Sequence, residues 1–220
     1  VVDEEAGDDY AKLAGLTEAE DVNEPLLKSI AKRLPWLLVL LGLGLVVSSI
    51  ISQFQTAVTA ANLVILYSFQ SLILDMSGNT GTQSLAVTIR VLNEDAVSGK
   101  EKLKFILKEM RIGLTNGLII GTLAFIAVGL YLTFVPGALA ANAPKYFGFE
   151  ISACIGISLT AGMLMASLDG TLVPICFKKI GIDPAVASGP LITTLNDLIA
   201  VCVYYGLSLL LFVEIGLFAI

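Results

Sequence analysis

Residues 75–83 read Asp75-Met76-Ser77-Gly78-Asn79-Thr80-Gly81-Thr82-Gln83, and they interrupt the otherwise apolar stretch 63–92. They bring a carboxylate, two amides, three hydroxyls and two glycines to the middle of that stretch. Such groups are costly at membrane depth unless they face protein or water, so they are by default a functional-site hypothesis. We therefore predict a polar pathway for ions at this place.

The composition is that of a membrane protein. Of 220 residues, 56% are hydrophobic and 15% are charged, and the mean hydropathy is +0.86, which excludes an ordinary soluble domain. Five apolar stretches are long enough to cross a hydrocarbon core of about 30 Å as helices. They cover residues 36–54, 63–92, 112–135, 151–177 and 191–218. The sequence predicts an all-α membrane protein with five transmembrane helices per subunit.

The basic residues predict the orientation. Of the 13 Lys and Arg residues, 12 lie before the first stretch, around the connection from the second to the third, or after the fourth. Only Lys145 belongs to the other set of loops. Because basic loops stay in the cytoplasm, we predict a cytoplasmic N-terminus and an external C-terminus. The basic, partly apolar run 101–111 is expected to lie on the inner surface against anionic headgroups.

Residues 1–27 form a separate acidic segment, with nine acidic residues against one basic residue, Lys12. A run of like charge is commonly a solvated tail. The other interpretation is a divalent-cation sensor, because clustered carboxylates repel one another until a cation bridges them. Its regulatory residues would be Asp3, Glu4, Glu5, Asp8 and Asp9. Residues 28–220 then form the five-helix pore domain.

Histidine is absent from the chain, which removes imidazole metal ligands and histidine proton relays. The three cysteines all fall in predicted spans, where we expect them to be small buried hydrophobic residues. Any metal is therefore held by oxygen atoms, which favours Mg²⁺, Ca²⁺ or Mn²⁺. The sequence indicates neither an enzyme nor a nucleic-acid partner.

Two stripes of small and polar residues run along the second and fifth predicted helices. They consist of Asp75, Gly78, Thr82 and Ala86 on the second helix, and of Gly189, Thr193 and Asp197 on the fifth. Steps of three and four residues place each stripe on one helix face, which predicts a groove between the two helices. Two further candidates lie next to the stripes in sequence: Asn79 as a metal ligand and Asn196 as a pore-lining residue. The alternative interpretation is close helix packing, which small residues and hydroxyls also favour.

Asp197 favours the functional interpretation. It lies inside an apolar segment, where an ionised carboxylate costs at least about 2.5–3.5 kcal/mol, and no basic residue lies deep in any predicted span. It is therefore protonated, faces water, or meets a cation from outside the chain. A transporter that couples the divalent cation to H⁺ or Na⁺, an intramembrane aspartyl protease and a structural scaffold are the rival hypotheses.

The stretch 75–84, the pair Ile89-Arg90, the run 182–191 and the pair Asn196-Asp197 together resemble the signature of the MgtE family of magnesium channels and transporters. The resemblance extends over essentially the whole chain. It implies a homodimer of five-helix subunits in the bacterial inner membrane, with a pore on the two-fold axis. It also implies regulatory N-terminal and CBS domains that this sequence lacks, and a plug-like role for the acidic segment.

The resemblance also implies roles for single residues. A hydrated Mg²⁺ would sit at Asp197, with the backbone carbonyl of Thr193 one turn earlier. Gly78 and Thr82 would line the cytosolic half of the path, and Asp183 would bind Mg²⁺ in the closed state. We therefore predict a channel or transporter selective for Mg²⁺, gated by cytosolic Mg²⁺, in which Mn²⁺, Co²⁺ or Ca²⁺ would use the same sites.

Overall fold

The computed structural model describes residues 11–12, 14–16, 23–93, 99–139, 146–184 and 189–214. Across these ranges the regular structure is helical and no β-strand occurs, so the all-α prediction is confirmed. The long helices are α1 (Leu26–Ala60), α2 (Gln70–Asn93), α3 (Gly99–Phe134), α4 (Phe147–Lys179) and α5 (Gly189–Leu209). A 3-10 helix (Val64–Phe69) precedes α2, and a π-helical turn (Leu210–Glu214) follows α5.

Four helices among the described residues are long and apolar enough to cross a membrane. They are α1, α3, α4 and α5, the last together with the turn that follows it. The protein is therefore a helical membrane protein. The helix α2 is long but much less apolar than the others, because the polar run 75–83 occupies its centre. The count of five transmembrane helices and the orientation remain predictions.

Two predicted spans begin differently in the structure, for local reasons. The second predicted span does not start as an α-helix, because Asn62 ends α1 in the left-handed conformation with φ of 57°. The Leu63 amide then donates to the Val58 carbonyl at 3.0 Å, and the Asn62 amide donates to Thr59 at 3.0 Å. These are the two bonds of a Schellman motif. The third predicted span, 112–135, is the apolar part of a longer helix, since the run 101–111 continues directly into it within α3.

The helix α4 lies at the centre of the bundle and packs against α2, α3 and α5. The helix α2 fits between α4 and α5, where its polar residues meet protein. By contrast, α1 lies at the edge, mainly against α5, and none of its most apolar window is buried. The surface of α1 is thus left for lipid or for another chain.

Two tyrosines join α5 to the segment between α1 and α2. Both Tyr204 and Tyr205 are fully buried in the main apolar cluster. The Tyr204 hydroxyl donates to the Leu66 carbonyl at 2.8 Å, and the Tyr205 hydroxyl donates to Gln70 Oε1 at 2.6 Å. Because a buried hydroxyl needs a partner, these bonds fix where α2 begins relative to α5.

Ion pairs hold the chain onto the first turns of α1. Glu24 lies 2.9 Å from Lys28 and 2.9 Å from Lys32, and its side chain is only 5% exposed. Hydrogen bonds from Lys32 and then Lys28 lower the pKa of Glu24 below its usual range. These two ion pairs fix Glu24, which precedes α1, against the first two turns of the helix.

Glycines bring α3 and α4 into backbone contact. Gly113, Gly117 and Gly121 are buried at four-residue spacing on α3. The Thr160 hydroxyl of α4 donates to the Gly117 carbonyl at 3.0 Å. A Cβ on Gly121 would lie 2.4 Å from the Gly156 carbonyl oxygen, so any larger residue would separate the helices.

We expect Gly121→Ala to destabilise the protein by about 1–3 kcal/mol, because the added methyl meets backbone that cannot rotate away. The matched control is Gly44→Ala, since nothing lies within 4 Å of that position. Thermal unfolding of the purified protein in detergent should show a lower midpoint for the first variant only. Equal midpoints would show that this contact is not tight.

Candidate functional site

A cavity of about 330 Å³ lies between α2 and α5. Its walls hold two carboxylates, one amide and three hydroxyls. The lining residues are Ser71, Leu74, Asp75, Gly78, Asn79 and Thr82 of α2, and Thr193 and Asp197 of α5. The structure thus brings five of the seven residues of the two predicted stripes into one space: Asp75, Gly78, Thr82, Thr193 and Asp197.

Glycines on α2 allow this arrangement. A Cβ on Gly78 would lie 3.3 Å from the Thr193 methyl group, so the two helices nearly touch beside the cavity. On another side of α2, a Cβ on Gly81 would lie 1.7 Å from Asn196 Nδ2. A Cβ on Gly170 of α4 would lie 2.3 Å from the Gly81 carbonyl oxygen. The glycines of α2 therefore serve close helix packing as well as the groove between α2 and α5.

Two of the three hydroxyl groups of the cavity, those of Thr82 and Thr193, present oxygen lone pairs rather than protons. Thr193 Oγ1 donates to the Gly189 carbonyl at 2.9 Å, and Thr82 Oγ1 lies 3.1 Å from the Gly78 carbonyl and 2.9 Å from that of Asn79. Each of these two hydroxyls donates its one proton to a carbonyl of its own helix. Its oxygen lone pairs remain available to accept hydrogen bonds in the cavity. Together with carboxylate oxygens, such a wall suits cations and the outward-pointing protons of their water shells.

Neither carboxylate of the cavity has a partner among the described residues. Asp75 is exposed and Asp197 is half-buried, and neither forms an ion pair or a side-chain hydrogen bond there. Three or more potential His, Cys, Asp or Glu ligands do not cluster anywhere in the described ranges. The cavity is therefore an open acidic wall, unlike a closed structural metal cage with all its ligands from one chain.

The other candidate residues lie outside this wall. Gly189 begins α5 and contributes its carbonyl to Thr193, while Ala86 is exposed one turn beyond Thr82. Asn196 is only 1% exposed and points at Gly81, because one residue turns a helix by about 100° away from the Thr193 and Asp197 face. Asn196 therefore does not line this cavity, and its predicted place beside the pathway stays a prediction.

Sequence reasoning missed two cavity residues, Ser71 and Leu74. Ser71 lies four residues before Asp75, and Leu74 lies four residues before Gly78. Both therefore lie on the predicted face of α2, one turn before its first members. Extending the stripe backwards by one turn would have found them.

A short N-terminal segment docks beside the start of α5. Lys12 Nζ lies 2.6 Å from Asp183 Oδ2, in the loop between α4 and α5. Gly15, at φ of +81°, packs against the ring of Trp36, and a Cβ there would lie 2.4 Å from Trp36 Cδ1. One contact of Asp183 is therefore an ion pair with Lys12 of the same chain. The predicted regulatory acids Asp3, Glu4, Glu5, Asp8 and Asp9 lie outside the described residues.

These features define a class of protein: a helical membrane protein with an acidic cavity between two of its helices. The sequence profile of the MgtE family, described as divalent cation transporter, matches residues 70–207, from α2 to the end of α5. The chain therefore belongs to the MgtE family, which is a family of transporters.

Curated relatives agree with this membership. The chain is 40% identical over 208 residues to the "Magnesium transporter MgtE" of Enterococcus faecalis. The matched region covers 94% of this chain and 42% of the relative. It is 36% identical over 208 residues to the protein of that name from Bacillus subtilis (94% and 43%). It is 31% identical over 215 residues to that of Thermus thermophilus (96% and 44%). The chain spans about two fifths of the length of these relatives.

We expect Gly15→Ala to loosen the docked segment, because the added methyl meets Trp36 and a left-handed conformation costs a residue with a Cβ about 1–2 kcal/mol. Trp36 is the one tryptophan of the chain and reports on this contact. Acrylamide should quench its fluorescence more strongly in this variant than in wild type or in the control Gly42→Ala, which meets nothing within 4 Å. Identical quenching in all three proteins would rule out the docked position.

Proposed function

We propose that this chain is the membrane part of a magnesium transporter, and that Mg²⁺ passes along α2 and α5 with most of its water shell. The observation that supports this most is the pair Asp75 and Asp197, which line one cavity without a basic partner among the described residues. Relatives over nearly the whole chain are named magnesium transporters. A cation from outside the chain is the partner that this acidic wall suits.

The chemistry of the cavity favours a hydrated ion. The cavity, of about 330 Å³ and open at the surface of the chain, leaves room for water around the ion. Mg²⁺ gives up its waters reluctantly, and acceptor oxygens bind those waters without replacing them. Such binding attracts the ion by charge and still releases it, as conduction requires.

A second copy of the chain completes the proposed pathway. One chain supplies only one wall of acceptors, and a two-fold axis beside α2 and α5 would place two copies of Asp197 around the same ion. Repulsion between the two carboxylates would fall when a divalent cation entered. In this arrangement α2 is the fifth membrane helix, shielded from lipid by α4, α5 and the partner. The orientation is the one that the basic loops favour, with residues 11–16 in the cytoplasm.

The docked segment suggests how cytosolic Mg²⁺ would close the path. Lys12 holds the segment to Asp183 at the start of α5, and both side chains are partly exposed, at 34% and 42%. An exposed ion pair contributes only about 0–1 kcal/mol, so it alone holds the segment weakly. Mg²⁺ bound by the acids of residues 3–9 would add the attraction that keeps the segment against the mouth, and its loss at low Mg²⁺ would release it.

We expect Asp197→Asn to lower Mg²⁺ uptake by at least about tenfold. At an effective dielectric constant of about 20, one carboxylate attracts a nearby divalent ion by several kcal/mol, and about 1.4 kcal/mol corresponds to tenfold. The measurement is Mg²⁺ influx into proteoliposomes, followed with an enclosed indicator. Influx that is the same with and without a proton or sodium gradient would separate a channel from a coupled transporter.

The matched control is Asp169→Asn on α4. Asp169 also lies within a membrane helix, and its Oδ2 is buried without a hydrogen-bond partner in the described part of the chain, but it does not line the cavity. This control should retain influx. Retained influx in Asp197→Asn, or equal loss in both variants, would contradict the proposed path.

We expect removal of residues 1–27 to raise Mg²⁺ influx when internal Mg²⁺ is high, because the docked segment is then missing. Lys12→Gln should raise it less, by a few-fold, since an exposed ion pair is worth only about 0–1 kcal/mol. Lys100→Gln, an exposed charge outside this contact, is the control. Unchanged influx into vesicles with high internal Mg²⁺ in the truncated protein would exclude gating by this segment.

A further inference from the structure

A second, basic cavity of about 350 Å³ lies on α3, away from the ion cavity. It is lined by Lys104, Lys108, Arg111, Ile112, Thr115 and Asn116. The three bases step by four and three residues, so they share one helix face, and all three are exposed. They stand where α3 changes from charged to apolar, which is the level of a membrane interface.

The positive charge of this cavity is not neutralised by the described residues. Lys104, Lys108 and Arg111 form no ion pair or hydrogen bond with any described side chain. Two acids flank the bases on α3: Glu101 lies one turn before Lys104, at the outer end of the basic face, and Glu109 is 4% exposed and lies on the packed face. Three like charges within two turns repel one another, so an anion that they share lowers their free energy.

A third cavity, of about 360 Å³, adjoins the basic one at Asn116. Met76, Asn79, Thr80 and Gln83 of α2, Ile119 and Ile120 of α3, and Met163 of α4 complete its lining. Four of these side chains are apolar. Ile120 lies about 12 Å further along α3 than Ile112, at about 1.5 Å per residue. The two cavities together form a surface that is basic at one end and lined by four apolar and four polar side chains deeper along α3.

We propose that this surface binds an anionic phospholipid. Its phosphate would accept hydrogen bonds from Arg111 and the two lysines, and one acyl chain would lie against Met76, Ile120 and Met163. A soluble phosphate would use only the basic end. A zwitterionic lipid would bring its own cation close to three positive side chains. The combination of the two cavities therefore favours the anionic lipid.

The occupant would touch the helix that carries the ion site. Asn79 lines both the third cavity and the cavity of Asp75 and Asp197. The deep end of the lipid would thus contact the α2 turn whose other side forms part of the acidic wall. This contact follows from the placement of Asn79 and does not depend on which ion the protein carries.

The experiment is native mass spectrometry of the detergent-purified protein with added phosphatidylglycerol or phosphatidylcholine. The wild-type protein should bind phosphatidylglycerol more tightly than phosphatidylcholine. The variant K104Q/K108Q/R111Q should lose this preference by about tenfold to a hundredfold, since each basic residue near an anionic headgroup contributes about 1 kcal/mol. The control K100Q/K102Q/K179Q removes the same charge outside the cavity and should retain the preference.

Equal loss in both triple variants would overturn the proposal, because only general surface charge would then matter. Equal binding of the two lipids to wild type would overturn it as well. Competition by soluble glycerol phosphate at the lipid's own concentration would assign the site to a free phosphate instead. Lys108→Gln alone, a single exposed change, should show a smaller loss in the same direction, which keeps the test valid if the triple variant does not fold.

Discussion

The close contact of α2 with α4 and α5 is the constraint on which the rest of the structure depends. This helix carries a carboxylate, amides and hydroxyls in its centre and is too polar to face lipid on all sides. Gly81 lets it approach both neighbours at once, because its backbone meets Gly170 on one side and Asn196 on another. With α2 held there, Asp75, Gly78 and Thr82 turn toward α5 and form the cavity.

The acidic cavity is an unusual use of an apolar bundle. Many hydroxyl side chains of the helices are satisfied locally, as Thr171 and Ser208 are by donating to the carbonyl four residues earlier. A carboxylate cannot do this, because it has no proton to donate when it is ionised. Asp75 and Asp197 therefore depend on water or on a cation, and this dependence links the fold to the proposed transport of Mg²⁺.

Much of the architecture was predictable from local pattern. Hydrophobic runs identified the long helices, and the steps of three and four residues identified the faces of α2 and α5 that meet at the cavity. The boundaries were less predictable, since the 3-10 helix before α2 depends on the left-handed Asn62 and on Tyr204 bonding to Leu66. Asn196 shows the other limit: a polar residue beside Asp197 in sequence points into the packing with Gly81, because neighbours in sequence face different directions on a helix.

The sequence by itself determined that this chain is an α-helical membrane protein, because apolar length and the need for internal backbone hydrogen bonds leave only helices for such segments. It also determined which oxygen-bearing residues were available to a cation. Only the tertiary structure decided which of them share a cavity, that Lys12 reaches Asp183, and that three bases of α3 adjoin a partly apolar cavity formed with α2 and α4. These contacts join helices distant in sequence, and their geometry depends on which glycines allow backbones to meet.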